Sequence, residues 1–184
     1  MKELSLNILD IAENSVKAGA ALTEIRLVED GGVLTITVRD NGCGMDAETV
    51  SRVTDPFYTT RTTRPVGLGL PLLKLEAEQT GGSLTVTSRS DKQYADHGTE
   101  VTAVFHTDHI DCVPLGDVTA TVTTLIQGHP TTDFLFTHRK NGQTVSLDTR
   151  ELREVLEGVP LDSYEVLQWI EGYLREQYRS INQE

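Results

Sequence analysis

The stretch Val33-Leu34-Thr35-Ile36-Thr37-Val38-Arg39-Asp40-Asn41-Gly42-Cys43-Gly44 sets how the rest of the chain is read. Residues 33 to 39 are rich in β-branched side chains and read as a strand. Asp30-Gly31-Gly32 joins them to a second such run, 22 to 29, as a hairpin. The strand runs straight into Asp40-Asn41-Gly42-Cys43-Gly44, which puts a carboxylate at a strand end ahead of two glycines that let backbone come close to a flat ligand. Asp-Asn-Gly is also an ordinary turn, so this element by itself leaves both readings open.

Upstream, residues 3 to 18 have helical periodicity. Leu4, Ile8, Ile11 and Ser15 share one stripe, Leu9, Ala12 and Val16 widen it, and Gly19 offers a stop. Asn7, Asp10, Asn14 and Lys17, at steps of three and four, line one narrow polar face. An Asn oxygen on such a face can ligate Mg²⁺, a carboxylate one turn earlier can orient a water, and a Lys can meet a phosphate. A solvated helix face is the alternative reading.

Downstream, a short helix is expected at 46 to 53, then Asp55-Pro56-Phe57 and a Thr/Arg-rich loop from Thr59 to Arg64. A helix at 67 to 80 opens on Gly67-Leu68-Gly69-Leu70, where free N–H groups and the helix dipole favour phosphate. This is not a Walker A loop, lacking Gly-Lys-Ser/Thr, nor a dinucleotide fingerprint, lacking the third Gly. Strands follow at 83 to 89 and 99 to 106. Helix, hairpin, loop, helix, hairpin predicts an α+β fold, a two-layer sandwich with helices on one face of a mixed, mostly antiparallel sheet.

Beyond residue 113 a Thr-rich segment, 117 to 126, precedes a hairpin across Asn141-Gly142. Asp148 with Glu151 and Asp162 with Glu165 have capping-box spacing and predict two C-terminal helices. In the last of these Leu167, Ile170 and Leu174 form an apolar stripe, with Trp169 and Tyr173 beside it read as core packing. The expected division is 1–112 for the main domain and 113–184 for a small extension of hairpin plus two helices.

The chain has 184 residues, room for one domain with an appendage. Its apolar fraction of 38% together with 15 Gly is that of a protein with an ordinary core. A net charge of −12, from 16 basic and 28 acidic residues, argues against affinity for nucleic acid or an anionic membrane. No long apolar run and no signal-peptide pattern occur, so a soluble cytoplasmic protein is expected. Cys43 and Cys112 lack metal-ligand spacing and read as unpaired thiols.

Taken in order, the polar helix face, strand-end Asp-x-Gly-x-Gly, Asp-Pro-Phe, Thr/Arg loop, Gly-x-Gly helix and Gly98-Thr99 strand resemble the ATP-binding domain shared by gyrase, the large heat-shock chaperones, histidine kinases and MutL. This is the GHKL or Bergerat fold, and the resemblance covers about residues 1 to 108. It implies ATP and Mg²⁺ as ligands. It makes Asn14 the Mg²⁺-binding asparagine, Lys17 a phosphate contact, and Asp40 the adenine-reading carboxylate with Gly42 and Gly44 shaping the pocket. Phe57 would belong to the F box, Gly67, Leu68 and Gly69 to the second glycine box, and Thr99 to the strand near the base. Arg61 and Arg64 would reach the γ-phosphate from the lid.

Two departures bear on chemistry. Hydrolytic relatives carry Glu four residues before the Asn, whereas this chain has Asp10, with a shorter reach to a water. Glu13 is the other nearby carboxylate, but its helix phase points away from Asn14. In addition, Val66 precedes Gly67 and the lid is short. None of His97, His106, His109, His129 and His138 sits on a helix upstream of the ATP domain, where a sensor kinase carries its phosphoacceptor.

The resemblance therefore implies phosphoryl transfer to a separate, unidentified protein in signalling. The alternatives are a slow ATPase working as a nucleotide-dependent switch, and a noncatalytic ATP-binding adaptor. The last 70 or so residues resemble the tails of small histidine-kinase-like ATPases encoded near iron-only hydrogenase genes. With two cysteines and no cluster motif, an iron–sulfur centre in this chain is not expected.

Overall fold

A computed structural model describes residues 3–55, 57 and 69–182. The chain forms α1 (Leu4–Lys17), β1 (Leu22–Asp30), β2 (Val33–Asp40), α2 (Ala47–Arg52), α3 (Gly69–Gln79), β3 (Ser83–Arg89) and β4 (Gly98–His106). Then follow α4 (Val118–Gly128), β5 (Asp133–Lys140), β6 (Gln143–Asp148), α5 (Thr149–Leu156) and α6 (Tyr164–Asn182). Six strands make one open sheet in the order β3-β4-β2-β1-β5-β6. β1 and β5 run parallel and every other neighbouring pair is antiparallel. This is the expected mixed α+β sandwich.

Two of the three predicted hairpins close through two-residue turns, while residues 90–97 join β3 to β4. Gly31 and Gly32 have φ of 55° and 76°, and Asn141 and Gly142 have 54° and 73°. Positive φ at both central positions matches the twist of the flanking strands and explains the Gly and Asn there.

Strand alternation sends Ile25, Leu27, Leu34, Ile36, Val38, Val101, Phe105, Phe134 and Phe136 to one side, all essentially buried. They meet Leu4, Ile8, Ile11 and Ala12 of α1, Leu73 and Ala77 of α3, Val122, Leu125 and Ile126 of α4, and Ile170 and Leu174 of α6, in one continuous core. Each of the Val, Leu, Ile and Phe side chains contributes about 1.5–3 kcal/mol on burial. The residues between them, such as Glu24, Arg39, Thr35 and Thr102, fall on the other face of the sheet, where a polar pattern suits contact with water.

The extension differs from expectation in three ways. The Thr-rich segment is a helix, α4, because Val118, Val122, Leu125 and Ile126 share a helical stripe, and Asp117 caps it by accepting from Ala120 N at 2.9 Å. The extension therefore holds three helices beside its hairpin. Asp148 does cap α5, accepting from Arg150 N at 2.9 Å, but α6 starts only at Tyr164, with Leu167 N donating to Ser163 O at 3.0 Å. Asp162 thus stands one position too early to be its cap. Finally, the aliphatic stripe of α6 is core, whereas Trp169 and Tyr173 are 51% and 38% exposed.

The extension is also tied to α1. Glu3, ahead of α1, makes no side-chain cap, and the first free N–H groups of the helix, on Leu4 and Ser5, donate to Pro114 O and Leu115 O at 2.9 and 2.8 Å. Thr121 Oγ1 on α4 donates to Ser5 O at 3.1 Å.

Candidate nucleotide site

Asp40 ends β2 on its helix-covered side, in register with Thr99 at the start of β4 and Thr23 on β1. Its carboxylate is held from three directions. Gly42 N and Thr99 N donate to Oδ1 at 2.9 and 3.3 Å, and Ser15 Oγ on α1 donates to Oδ2 at 2.7 Å. A carboxylate has about four lone-pair sites, so three donors leave acceptor capacity on Oδ2. A fixed carboxylate with one open position is a recognition group for an N–H donor.

The glycines around it are there for space. Gly44 has φ +68°, and a Cβ on it would fall 1.9 Å from Arg89 O. A Cβ on Gly98 would fall 2.0 Å from Asp40 O, so the β4 backbone passes directly against the strand-end carboxylate residue. Gly42 is buried, and a Cβ there would meet Ala18 Cβ and the Ala18 carbonyl at 2.9 Å. Cys43 N donates to Ala18 O at 2.9 Å, which fastens the turn to the end of α1.

The polar face of α1 is divided by depth. Asn7 is 1% exposed and lies under α3, its Nδ2 donating to Glu76 Oε2 at 2.8 Å. Asp10 is half-buried, and a Cβ on Gly69 would lie 1.9 Å from its Oδ2, so the carboxylate sits against the first residue of α3. Asn14 and Lys17 are exposed one and two turns further on. The structure thus links Asp40, Gly42 and Thr99 to α1 through Ser15 and seats Gly69 against Asp10. It leaves Asn14 and Lys17 exposed on the helix face that carries Asp10, with Gly44 in the strand-end turn. The space flanked by α1, that turn and the α3 N-terminus is the candidate crevice. Arg61, Arg64, Gly67 and Leu68 lie outside the described residues. Phe57 does not join the crevice; its ring is 94% exposed, and its N–H closes a turn on Asp55 Oδ1 at 2.9 Å.

Glu13 points away, as its phase requires, and pairs with His129 Nε2 at 2.9 Å at the end of α4. Four residues that act here escape a reading of the sequence. Ser15 reads as one more position of the apolar stripe; a lone hydroxyl in that stripe, next to Asn14, is the available signal. Ser88 Oγ accepts from Met45 N at 2.8 Å and contacts Thr99 Oγ1 at 2.8 Å, linking β3, β4 and the turn. His97 Nδ1 bonds to Gly42 O. Thr23 Oγ1 is fully buried beside Asp40 and has no hydrogen-bond partner among the described residues. These depend on pairings that no local pattern reveals.

A cavity of about 840 Å³ touches Asp40, Ser88 and Thr99 from the other side. Its strand-borne walls include Glu24, Arg39, Thr87, Arg89 and Glu100. Alternation puts these on the open face of the sheet, away from α1 and α3, so this hollow is separate from the crevice. Among the described residues no cluster of three or more His, Cys, Asp or Glu side chains could hold a metal ion, and no helix is long and apolar enough to cross a membrane. Cys43 and Cys112 are free thiols, as expected.

A two-layer α+β sheet with a triply held strand-end carboxylate, facing a polar helix and the glycine-opened start of another, defines a nucleotide-binding ATPase domain. The chain belongs to the family described as histidine kinase-, DNA gyrase B-, and HSP90-like ATPase, which matches residues 2–109. A putative sensor protein of Shewanella frigidimarina is 27% identical over 106 residues, 57% of this chain and 15% of that protein. The signal transduction histidine-protein kinase AtoS of Escherichia coli is 34% identical over 91 residues, 48% of this chain and 14% of that protein. This chain therefore spans about one seventh of the length of these relatives. Among solved structures, the Aquifex aeolicus MutL ATPase domain complexed with ADP superposes with a TM-score of 0.56 at 16% identity, covering 85% of this chain and 70% of that one. The N-terminal domain of a DNA repair protein gives 0.57 at 20% identity, covering 80% and 53%. These two show the fold.

Proposed function

We propose that this chain binds Mg-ATP in the crevice and serves transfer of the γ-phosphate to a separate protein in cytoplasmic signalling. The observation that carries the reading is the Asp40 carboxylate, fixed by Ser15, Gly42 and Thr99 with one acceptor position to spare. An adenine amine is a donor of the right kind for that position, and Thr99 stands beside it. Lys17 and the N–H groups opening α3 share the phosphate charge, together with Arg61, Arg64, Gly67 and Leu68 of the intervening segment.

The hard-oxygen character of Asn14, exposed on the same helix face, suits magnesium, and Asn14 would hold it. When bound, the metal neutralises phosphate charge and raises the electrophilicity of the terminal phosphorus. Asp10 orients a nucleophile at the α3 N-terminus: a partner's side chain in the kinase reading, or water in the second reading, a slow ATPase switch. The second reading is kept because Asp10, though a methylene short of Glu, is seated directly against Gly69. Residues 1–112 would form the nucleotide-binding unit, and 113–184 an extension that braces α1 through Pro114 and Leu115.

Incubation with γ-labelled ATP and cell extract tests this. Label on a second protein supports the kinase reading; free phosphate alone supports the ATPase switch; neither, with ATP still bound, leaves the adaptor. Absence of ATP binding by the folded chain at millimolar nucleotide refutes all three.

A further inference from the structure

The solvent side of α6 carries a feature unrelated to the nucleotide crevice. Trp169 and Tyr173, one turn apart, stack with ring centroids 4.8 Å apart and planes at 12°. They are half-exposed although the helix has an apolar stripe of its own, Val166, Ile170, Leu174 and Ile181, already buried in the core. The pair is therefore surplus to packing. Helical spacing puts Glu165 four residues before Trp169 and Glu176 three after Tyr173, on the same face, and both are exposed. Gly172 sits at the edge of this face with nothing within 4 Å of where its Cβ would be. Beside it runs a shallow groove of about 520 Å³ bordered by Gln168, Gly172 and Glu176. Arg175 and the exposed Arg179 also border it. Arg175 is paired with Asp117 and Glu171 at 3.1 and 3.0 Å, and Glu165 with Glu176 outweighs the one further cation, so the face stays net acidic.

We propose that this acidic, aromatic face of α6 docks an arginine-bearing basic segment of a protein partner. A guanidinium stacks on Trp and Tyr faces through cation–π attraction and pairs with carboxylates at the rim. The rings are held parallel by each other, so little side-chain freedom is lost on binding. The net charge of −12 steers cationic partners toward the chain and repels nucleic acid. Aromatic residues concentrate binding energy at interfaces, whereas rim carboxylates contribute mainly rate and salt dependence.

The test uses the full chain without nucleotide, so that its outcome is independent of the crevice. The probe is a peptide of three Arg-Leu-Ala-Arg repeats, with a Glu-for-Arg version as control. Trp169 is the only tryptophan, so its fluorescence reports the face directly, with calorimetry in parallel. Saturable quenching by the Arg peptide and none by the Glu peptide is expected. Trp169→Ala with Tyr173→Ala should weaken binding about tenfold or more. Glu165→Gln with Glu176→Gln should weaken it by a few-fold, a difference that shrinks between ~50 and ~300 mM salt. Gly172→Lys, which adds a side chain into open space and a cation beside the rings, should abolish binding while leaving the fold intact. No saturable binding by the parent protein, or binding by the double aromatic variant or Gly172→Lys within twofold of the parent, overturns the proposal.

Discussion

Asp40→Asn separates recognition from folding. The variant amide keeps one oxygen, and with that oxygen at the Oδ1 position it still accepts from Gly42 N and Thr99 N, now at 2.9 and 3.3 Å from the carboxylate. The NH₂ group then takes the Oδ2 position, where Ser15 Oγ, now a donor at 2.7 Å, can rotate its proton and accept instead. The folded state loses the extra strength of bonds to a charge but leaves no donor stranded, a cost of about 0.5–1.5 kcal/mol. Adenine fares worse, because its amine would face a second donor in place of a carboxylate oxygen. A lost charge-assisted hydrogen bond is ~2–3 kcal/mol, or about 30- to 150-fold in affinity. Calorimetric titration with ATP, alongside thermal melting of the same preparations, reads both quantities. An Asp40→Asn variant that melts within a few degrees of the parent and binds ATP within threefold of it would refute the assignment of Asp40 to adenine.

Other expectations concern neighbouring groups. Asn14→Ala should remove the gain in ATP affinity given by magnesium while leaving the affinity in chelator nearly as it was, measured by titration with and without the metal. Asp10→Asn should lower phosphate release or transfer with little change in ATP affinity; unchanged turnover would remove Asp10 from any role in orienting the nucleophile. Gly44→Ala, at φ +68° with Arg89 O in the way of its Cβ, should cost more than ~2 kcal/mol and lower the melting midpoint by at least ~4 °C.

His138 gives a pH prediction. It is 2% exposed, with Nδ1 2.7 Å from Tyr178 OH and Nε2 2.9 Å from Glu29 Oε1. Burial pushes its pKa below 6.5 despite the nearby Glu29, and Lys140 adds to the lowering. A neutral ring that accepts from Tyr178 and donates to Glu29 satisfies both contacts, and burial drives the Tyr178 hydroxyl well above its usual range, keeping it a donor. The unfolded state takes up the proton more readily than the folded one, so stability is greatest above 6.5 and falls as pH drops below it. Urea unfolding from pH 7 to pH 5 should show the decline, and His138→Gln should flatten it.

Much of the fold was legible because its determinants are local. Helical periodicity in Leu4, Ile8 and Ile11, and the Gly31-Gly32 and Asn141-Gly142 turns, act over a few residues, and the strands and hairpins fell where they predicted. The outlines of the candidate site were legible for a similar reason: Asn14, Asp40 and Gly69 sit in short ordered motifs. What the sequence hid was depth and partnership. Asn7 and Asn14 occupy equivalent positions on one helix face, yet Asn7 is sealed beneath α3 and Asn14 is exposed, because α3 among the described residues begins beside Asp10. Trp169 and Tyr173 look like core by composition, yet the stripe beside them fills the core first.

Periodicity, turn chemistry and charge, all carried within short windows, decided by themselves that this chain is an α+β protein with an acidic surface and a strand-end carboxylate next to glycines. Tertiary structure alone decided that β5 lies parallel to β1, that Pro114 and Leu115 complete the start of α1, and that Ser15 reaches Asp40. The reason is physical: a hydrogen bond across tens of residues depends on where the packed core leaves its two groups, and short-range preference holds no information about that distance.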